Sequence, residues 1–417
     1  MVAFLFLSPD ALDFAAFFVM LADVSFVREF NTLPLDDLLQ CSLETTPALV
    51  REALEKPRLA LADFARLISH AAGADLEEMA RRSQALTRQR FGQVIRLFAP
   101  LYLSNECVNN CKYCGFSRDN PIVRVTLSVE DVLREARALR EQGFRNILLV
   151  AGEHPKFVSG PYLADCIRGL HDEMPSISLE LGPMETEDYV PLVQAGADGL
   201  VVYQESYDRA VYAEMHTAGP KRNFDWRLET PERAYAAGFR RLGIGALYGL
   251  GDWRREAISL AAHAEYLLRH CWKAQLTISL PRLRPCAGEF QPLAPMSERD
   301  LVQLVCALRL LLPDAGLVLS TRESAKLRDG LIPLGITMIS AGSHTEPGGY
   351  TGAGREKLHH TERGRMVALA AGSSEWASGA TGQFDIADSR SPGEVADLIK
   401  RLGYDPVWKD WDAALMA

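Results

Sequence analysis

VIRLFAPLYLSNECVNNCKYCGFS, residues 94–117, joins an apolar run to a loop that carries Cys107, Cys111 and Cys114. The run has the composition and polar boundary of a buried strand. The loop places three thiols at intervals of three and then two residues, a spacing that folds round one iron-sulfur cluster. Three ligands on a four-iron cubane leave one iron open, so a cofactor or substrate can bind the cluster itself. A structural zinc knot is the alternative, but such sites close with four ligands, and no fourth cysteine or histidine lies nearby.

Downstream, seven more runs follow the first at intervals filled by helical patterns: NILLVAGE, ISLELGP, GLVVYQE, RLGIGALYG, AQLTISLP, GLVLSTRE and ITMISAGS. Eight strands alternating with helices over about 250 residues predict an α/β fold, a TIM-type (β/α)8 barrel, with a doubly wound open sheet as the alternative. A barrel requires its active site at the carboxyl ends of the strands, and the cysteine loop follows the first strand there. Residues 34–90 read as successive helices, acidic early and basic late. The expected organisation is an apolar leader and N-terminal helical extension (1–93), the barrel (94–345), and a C-terminal tail of flexible loop and docking segment (346–417). In that tail His359 and His360 are expected to be solvated, and Trp408 and Trp411 to dock on the barrel.

The 417 residues are 48% hydrophobic, enough for a large core, and carry a net charge of -9 without a run of like charge. That balance opposes nucleic acid or an anionic membrane as the main partner and favours a small-molecule enzyme. Eight cysteines without a regular paired framework point to a reducing, cytoplasmic compartment. The first 24 residues are strongly apolar but have no basic residue before Arg28, and Pro9, Asp10 and Asp13 interrupt them. They are read as an over-extended translation start ahead of Met20, or as a short helix packed on the body, rather than as a signal or anchor.

The strand ends hold candidate contacts. Arg322, in LSTRES, is suited to a two-donor clamp on a substrate carboxylate. Ser340 can add a hydroxyl to it, and Tyr102, at the end of the first strand, can face the same cavity.

With aromatic Tyr113 before the last cysteine, and Gly115 and Phe116 after it, the loop resembles that of the radical S-adenosylmethionine (SAM) enzymes. The resemblance implies a [4Fe-4S] cluster on Cys107, Cys111 and Cys114, SAM chelated to its open iron, and Tyr113 in the cofactor site. Ala151, Gly152 and Glu153 resemble that family's Gly-Gly-Glu motif with its first glycine replaced. Gly152 then permits close backbone approach, and Glu153 holds the SAM ammonium. A glutamate capping the next helix is the plainer reading. Glu205 is expected on the ribose hydroxyls and Arg227 on the SAM carboxylate, although Arg227 and Glu229 also read as helix-entry charges.

LTRQRFG, LYLSNECVNNCKYCGFS, GEHP, VYQESY, WRLETPERA, GIGALYGL, PRLRPC, LSTRES, SAGSHTEPGGY and PVWKDWD occur in order over residues 86–412. Together they resemble the 2-iminoacetate synthase (ThiH) family, the radical SAM tyrosine lyases of thiamin biosynthesis. The resemblance implies conversion of L-tyrosine and SAM to 2-iminoacetate (dehydroglycine), p-cresol, methionine and 5′-deoxyadenosine. It also implies a flavodoxin- or ferredoxin-type reductant, and thiazole synthase (ThiG) as recipient of the product. The alternatives are a tryptophan lyase, the tyrosine lyase of hydrogenase cofactor assembly, and a non-catalytic iron-sulfur carrier. The hydrogenase-linked enzyme carries a further cysteine motif near its C-terminus, whereas Cys306 is the last cysteine here.

Overall fold

Eight parallel strands close into a barrel in the computed structural model, which describes residues 25–362, 365–370 and 372–408. The apolar leader and Trp411 lie outside the described residues. The barrel strands are β1 (Val94–Ser104), β2 (Asn146–Ala151), β3 (Ser176–Glu180), β4 (Gly199–Glu205), β5 (Arg241–Ala246), β6 (Gln275–Ser279), β7 (Gly316–Leu319) and β8 (Met338–Ser340). Each coincides with one of the eight runs of the sequence. Neighbours in the sheet are neighbours in the chain, and β8 returns to pair with β1 through Arg96, Leu97 and Phe98. That last pairing distinguishes the barrel from an open doubly wound sheet.

Strand parity assigns side chains to two separate cores. On β1, Leu97, Ala99, Leu101 and Leu103 join the large core shared with the surrounding helices, while Phe98 and Tyr102 join a smaller cluster with Leu148 and Val150 of β2. Phe98, Pro100 and Tyr102 line the cavity at the carboxyl ends of the strands.

Before β1 the chain forms α1 (Phe26–Thr32), α2 (Leu35–Glu44), α3 (Pro47–Glu55), α4 (Leu61–Leu67) and α5 (Leu76–Phe91). Helix α5 has Glu77 and Glu78 in its first turn and Arg88 and Arg90 in its last, matching the helix dipole. Gly92, at φ 65°, ends it. It packs along the helix Glu298–Leu311, and Phe26 of α1 stacks on His263 at 4.2 Å, so the extension grips the outside of the barrel. None of the described helices is long and apolar enough to cross a membrane.

After β8 the chain lies over the barrel mouth and then passes beneath it. Strand Asp405–Val407 extends the edge of β1 in parallel, pairing with Val94–Arg96, and Trp408 meets Phe144 edge-on at 5.2 Å. His359 corrects an expectation. It is buried, not solvated, with its Nε2 2.6 Å from Glu106 Oε1. The cause is a bridge between Arg124 and His359 that draws this segment inward, where Glu106 compensates the imidazole. His360 is half-buried, beside the Ile122 carbonyl and Glu375.

The buried pair makes a clear prediction. His359→Ala is expected to destabilise the protein by about 3–5 kcal/mol, because removing one partner strands the other in the interior. Adding Glu106→Gln to that variant should recover most of the loss, read as the midpoint of thermal unfolding. Equal midpoints for wild type and His359→Ala would show that the pair contributes nothing.

Candidate active site

The cysteine loop is held from below by an arginine. Arg124 is buried, and its guanidinium donates to the backbone carbonyls of Asn105 (2.6 Å), Phe116 (3.3 Å) and Ser117 (2.8 Å), which bracket the three cysteines. Asn110 and Cys111 pair antiparallel with the strand His216–Ala218. Gly152 closes on the loop from β2. A Cβ there would lie 2.2 Å from the Glu106 carbonyl oxygen, so only glycine fits. Gly152→Ala is accordingly expected to displace the loop and lower the iron bound on reconstitution. Wild-type iron content in that variant would refute the close-approach reading.

Burial pushes the Cys111 thiol up, and it pushes Cys114 up to about 11, with Cys107 as the next contribution on Cys114. Each is therefore held neutral unless a cation replaces its proton. Asn109 Nδ2 lies 3.8 Å from Cys107 Sγ, and Gln383 Nε2 lies 3.9 Å from Cys114 Sγ, both oriented as donors to sulfur. Three neighbouring thiols on one short loop are a donor set that suits a multi-iron group.

Beside the loop lies a charged wall. Glu153 accepts from Asn109 Nδ2 at 2.7 Å, and a Cβ on Gly182 would lie 2.5 Å from its carboxyl carbon, so the position is tightly enclosed. Glu205 ends β4 at φ 71°, a left-handed conformation costing a non-glycine residue about 1–3 kcal/mol. The pairing of β4 with β5 shifts register between Tyr203 and Glu205. Burial acts to raise the Glu205 carboxyl, but the charges of Lys221 (2.7 Å) and Arg227 (3.7 Å) hold it below the usual carboxylate range. Arg227 is itself buried and donates from Nε to the Tyr203 carbonyl at 2.7 Å. Tyr113 does not line the central cavity. Its hydroxyl meets His216 Nε2 at 2.7 Å, and its ring lies 5.6 Å from the Lys221 ammonium.

The central cavity opens at the carboxyl ends of the strands and brings Tyr102, Arg322 and Ser340 together. Arg322 stacks its guanidinium on Phe384, 3.4 Å from the ring centroid. Ser340 Oγ accepts from the Thr321 N–H at 3.2 Å, fixing the hydroxyl with its proton still available. Tyr102 donates to Gln383 Oε1 at 2.8 Å, and its burial pushes the phenol well above the ordinary range. Gln383 thus touches both Tyr102 and Cys114, which makes the cavity and the cysteine loop one continuous site.

Sequence reasoning missed four contributors. Gln383 and Phe384 lie in the glycine-rich tail, where no periodicity marks them. Lys221 lies between strands, with no local pattern to pair it with Glu205. Glu180 does leave a signal: in ISLE, Ile177 and Leu179 join the outer core, so Ser178 and Glu180 must face the lumen.

Comparison with known proteins gives consistent relatives. The Radical SAM superfamily model matches residues 101–261, and the Biotin and Thiamin Synthesis associated domain matches residues 279–405. The chain is 43% identical to 2-iminoacetate synthase of Escherichia coli (strain K12), spanning 94% of this chain and 98% of that protein. It is 42% identical, over the same shares, to 2-iminoacetate synthase of Salmonella typhimurium. Among solved structures it is similar to HydG, a maturase of the [FeFe]-hydrogenase, with a TM-score of 0.80 and 32% identity over 91% of this chain and 80% of that one.

Proposed function

The chain belongs to the 2-iminoacetate synthase family of the radical SAM superfamily, and on that premise we propose that it is a lyase that cleaves the Cα–Cβ bond of L-tyrosine, yielding 2-iminoacetate and p-cresol. One observation carries the reading to this chain's own residues: Gln383 joins the central cavity to the cysteine loop by contacting Tyr102 and Cys114. When bound, a [4Fe-4S] cluster and SAM supply one-electron cleavage of SAM to methionine and a 5′-deoxyadenosyl radical. Cys107, Cys111 and Cys114 hold the cluster.

Glu153 would hold the ammonium of SAM, the Glu205 carboxylate its ribose hydroxyls and Arg227 its carboxylate, with Tyr113 and Gly152 beside them in the cofactor site. Arg322 clamps the tyrosine carboxylate. Ser340 and Tyr102 orient the amino group, from which hydrogen is taken before the Cα–Cβ bond breaks. Fixing that geometry is the protein's main contribution, and the enclosed cavity keeps water from the imine. The reading includes a flavodoxin- or ferredoxin-type reductant, thiazole synthase as recipient of the product, and a cytoplasmic setting where thiols stay reduced.

Anaerobic incubation of the reconstituted protein with SAM, dithionite and tyrosine, followed by mass analysis, tests the proposal. Deoxyadenosine, p-cresol and glyoxylate from the hydrolysed imine are expected in equal amounts. Deoxyadenosine without p-cresol would reject tyrosine lysis, and product from tryptophan in its place would assign the chain to the tryptophan lyases.

A further inference from the structure

We propose that Glu180 is the specificity-determining residue of the cavity, accepting a hydrogen bond from the phenolic hydroxyl of the substrate. The inference deepens the tyrosine lyase reading and rests on it. Glu180 ends β3, and Arg322 follows β7. These strands stand four apart in a ring of eight, on opposite walls, yet both residues line the same cavity. The wall between them is apolar and aromatic, formed by Phe98, Leu148, Val150 and Tyr203.

An amino acid carries its carboxylate and ammonium on one carbon, so the groups that hold its head must be neighbours. Arg322, Ser340 and Tyr102 satisfy this, since β7, β8 and β1 are consecutive in the closed sheet. Glu180 lies outside that arc. With the head at Arg322 and the ring along the apolar wall, the far end of an aromatic substrate comes to Glu180.

The chemistry of the carboxyl agrees. Among the described residues no hydrogen bond reaches the Glu180 carboxyl, in a cavity where the Tyr102 hydroxyl and Ser340 Oγ are both engaged. Burial, and then the charge of Glu205, push it up to about 7, against the opposing influence of Arg322. Its carboxyl is thus free to pair with a donor that a ligand brings into the cavity. In either protonation state the carboxyl keeps an oxygen that accepts a hydrogen bond, and a phenol donates one. A site built to bond a substrate hydroxyl rejects the analogue that lacks it far more strongly than an apolar pocket could.

The test uses the reconstituted holoenzyme with SAM, as wild type, Glu180→Gln and Glu180→Leu. Equilibrium binding of L-tyrosine, L-phenylalanine and p-cresol is measured by calorimetry. Glu180→Leu should weaken tyrosine and p-cresol by roughly 10- to 100-fold, the worth of a charge-assisted hydrogen bond, and leave phenylalanine nearly unchanged. Glu180→Gln, which keeps the volume and an acceptor oxygen, should fall between. Unaltered SAM affinity and thermal midpoint would establish that the variants are folded, and Glu180→Gln provides the comparison if the leucine variant is not. Equal weakening of tyrosine and phenylalanine, with p-cresol unaffected, would place Glu180 on the ammonium and overturn the proposal. Unchanged binding of all three would overturn it as well. Failure of the wild type to release p-cresol from tyrosine would instead reject the lyase reading, whatever the variants bind.

Discussion

Alanine in place of Cys107, Cys111 or Cys114 is expected to abolish SAM cleavage while leaving the barrel folded. Two thiolates cannot hold a four-iron cluster with one iron open, so the loss should be complete rather than graded. The fold should survive because the large apolar core, formed between strands and helices, lies apart from the cysteine loop. Arg124 anchors that loop through backbone carbonyls, and those bonds do not depend on the side chains of the cysteines. Iron and sulfide content, charge-transfer absorbance and deoxyadenosine formation are the measurements, with far-ultraviolet circular dichroism as the control for folding. A variant with full absorbance and turnover would refute the cluster assignment.

The second large effect is expected in the central cavity. Arg322→Lys should reduce kcat/KM for tyrosine by roughly 10- to 100-fold, corresponding to about 1.5–3 kcal/mol for a lost charge-assisted contact. Lysine keeps the charge but offers a point-like ammonium in place of a planar two-donor fork. It also loses the flat face that lies 3.4 Å from the Phe384 ring centroid, so the cation is no longer held in one orientation. SAM affinity should stay near wild type, because Glu153, Glu205 and Arg227 lie by the cysteine loop and not at β7. Collapse of SAM binding with an unchanged tyrosine response would place Arg322 on the wrong ligand.

Two features of the sequence were local enough to read directly: the architecture and the position of the cysteine loop in it. The eight apolar runs are local signals: each is long enough to form a strand, helical patterns separate them, and alternation along a strand divides its side chains between lumen and outer core. The cysteine spacing is local too, since all three thiols lie within one short loop and their separation along the chain limits their separation in space. The helix ends at α5 and the glycine at position 152 were legible for the same reason, being short-range demands of backbone geometry.

What the sequence alone left undetermined depends on residues far apart in the chain. Tyr102 meets Gln383 across 281 positions, and Glu106 meets His359 across 253, with no local pattern to announce either pair. Whether a histidine is solvated or buried follows from the partner that compensates it, which is why His359 was misread. Lys221 and Arg227 hold the Glu205 carboxylate only because an irregular β4 end brings all three together. Glu180 stands between these cases. Its inward direction was written in the alternation of ISLE, but its position opposite Arg322 exists only once β8 pairs with β1 and the sheet becomes a ring. Local periodicity sets which way a side chain points, and closure of the barrel decides what it faces.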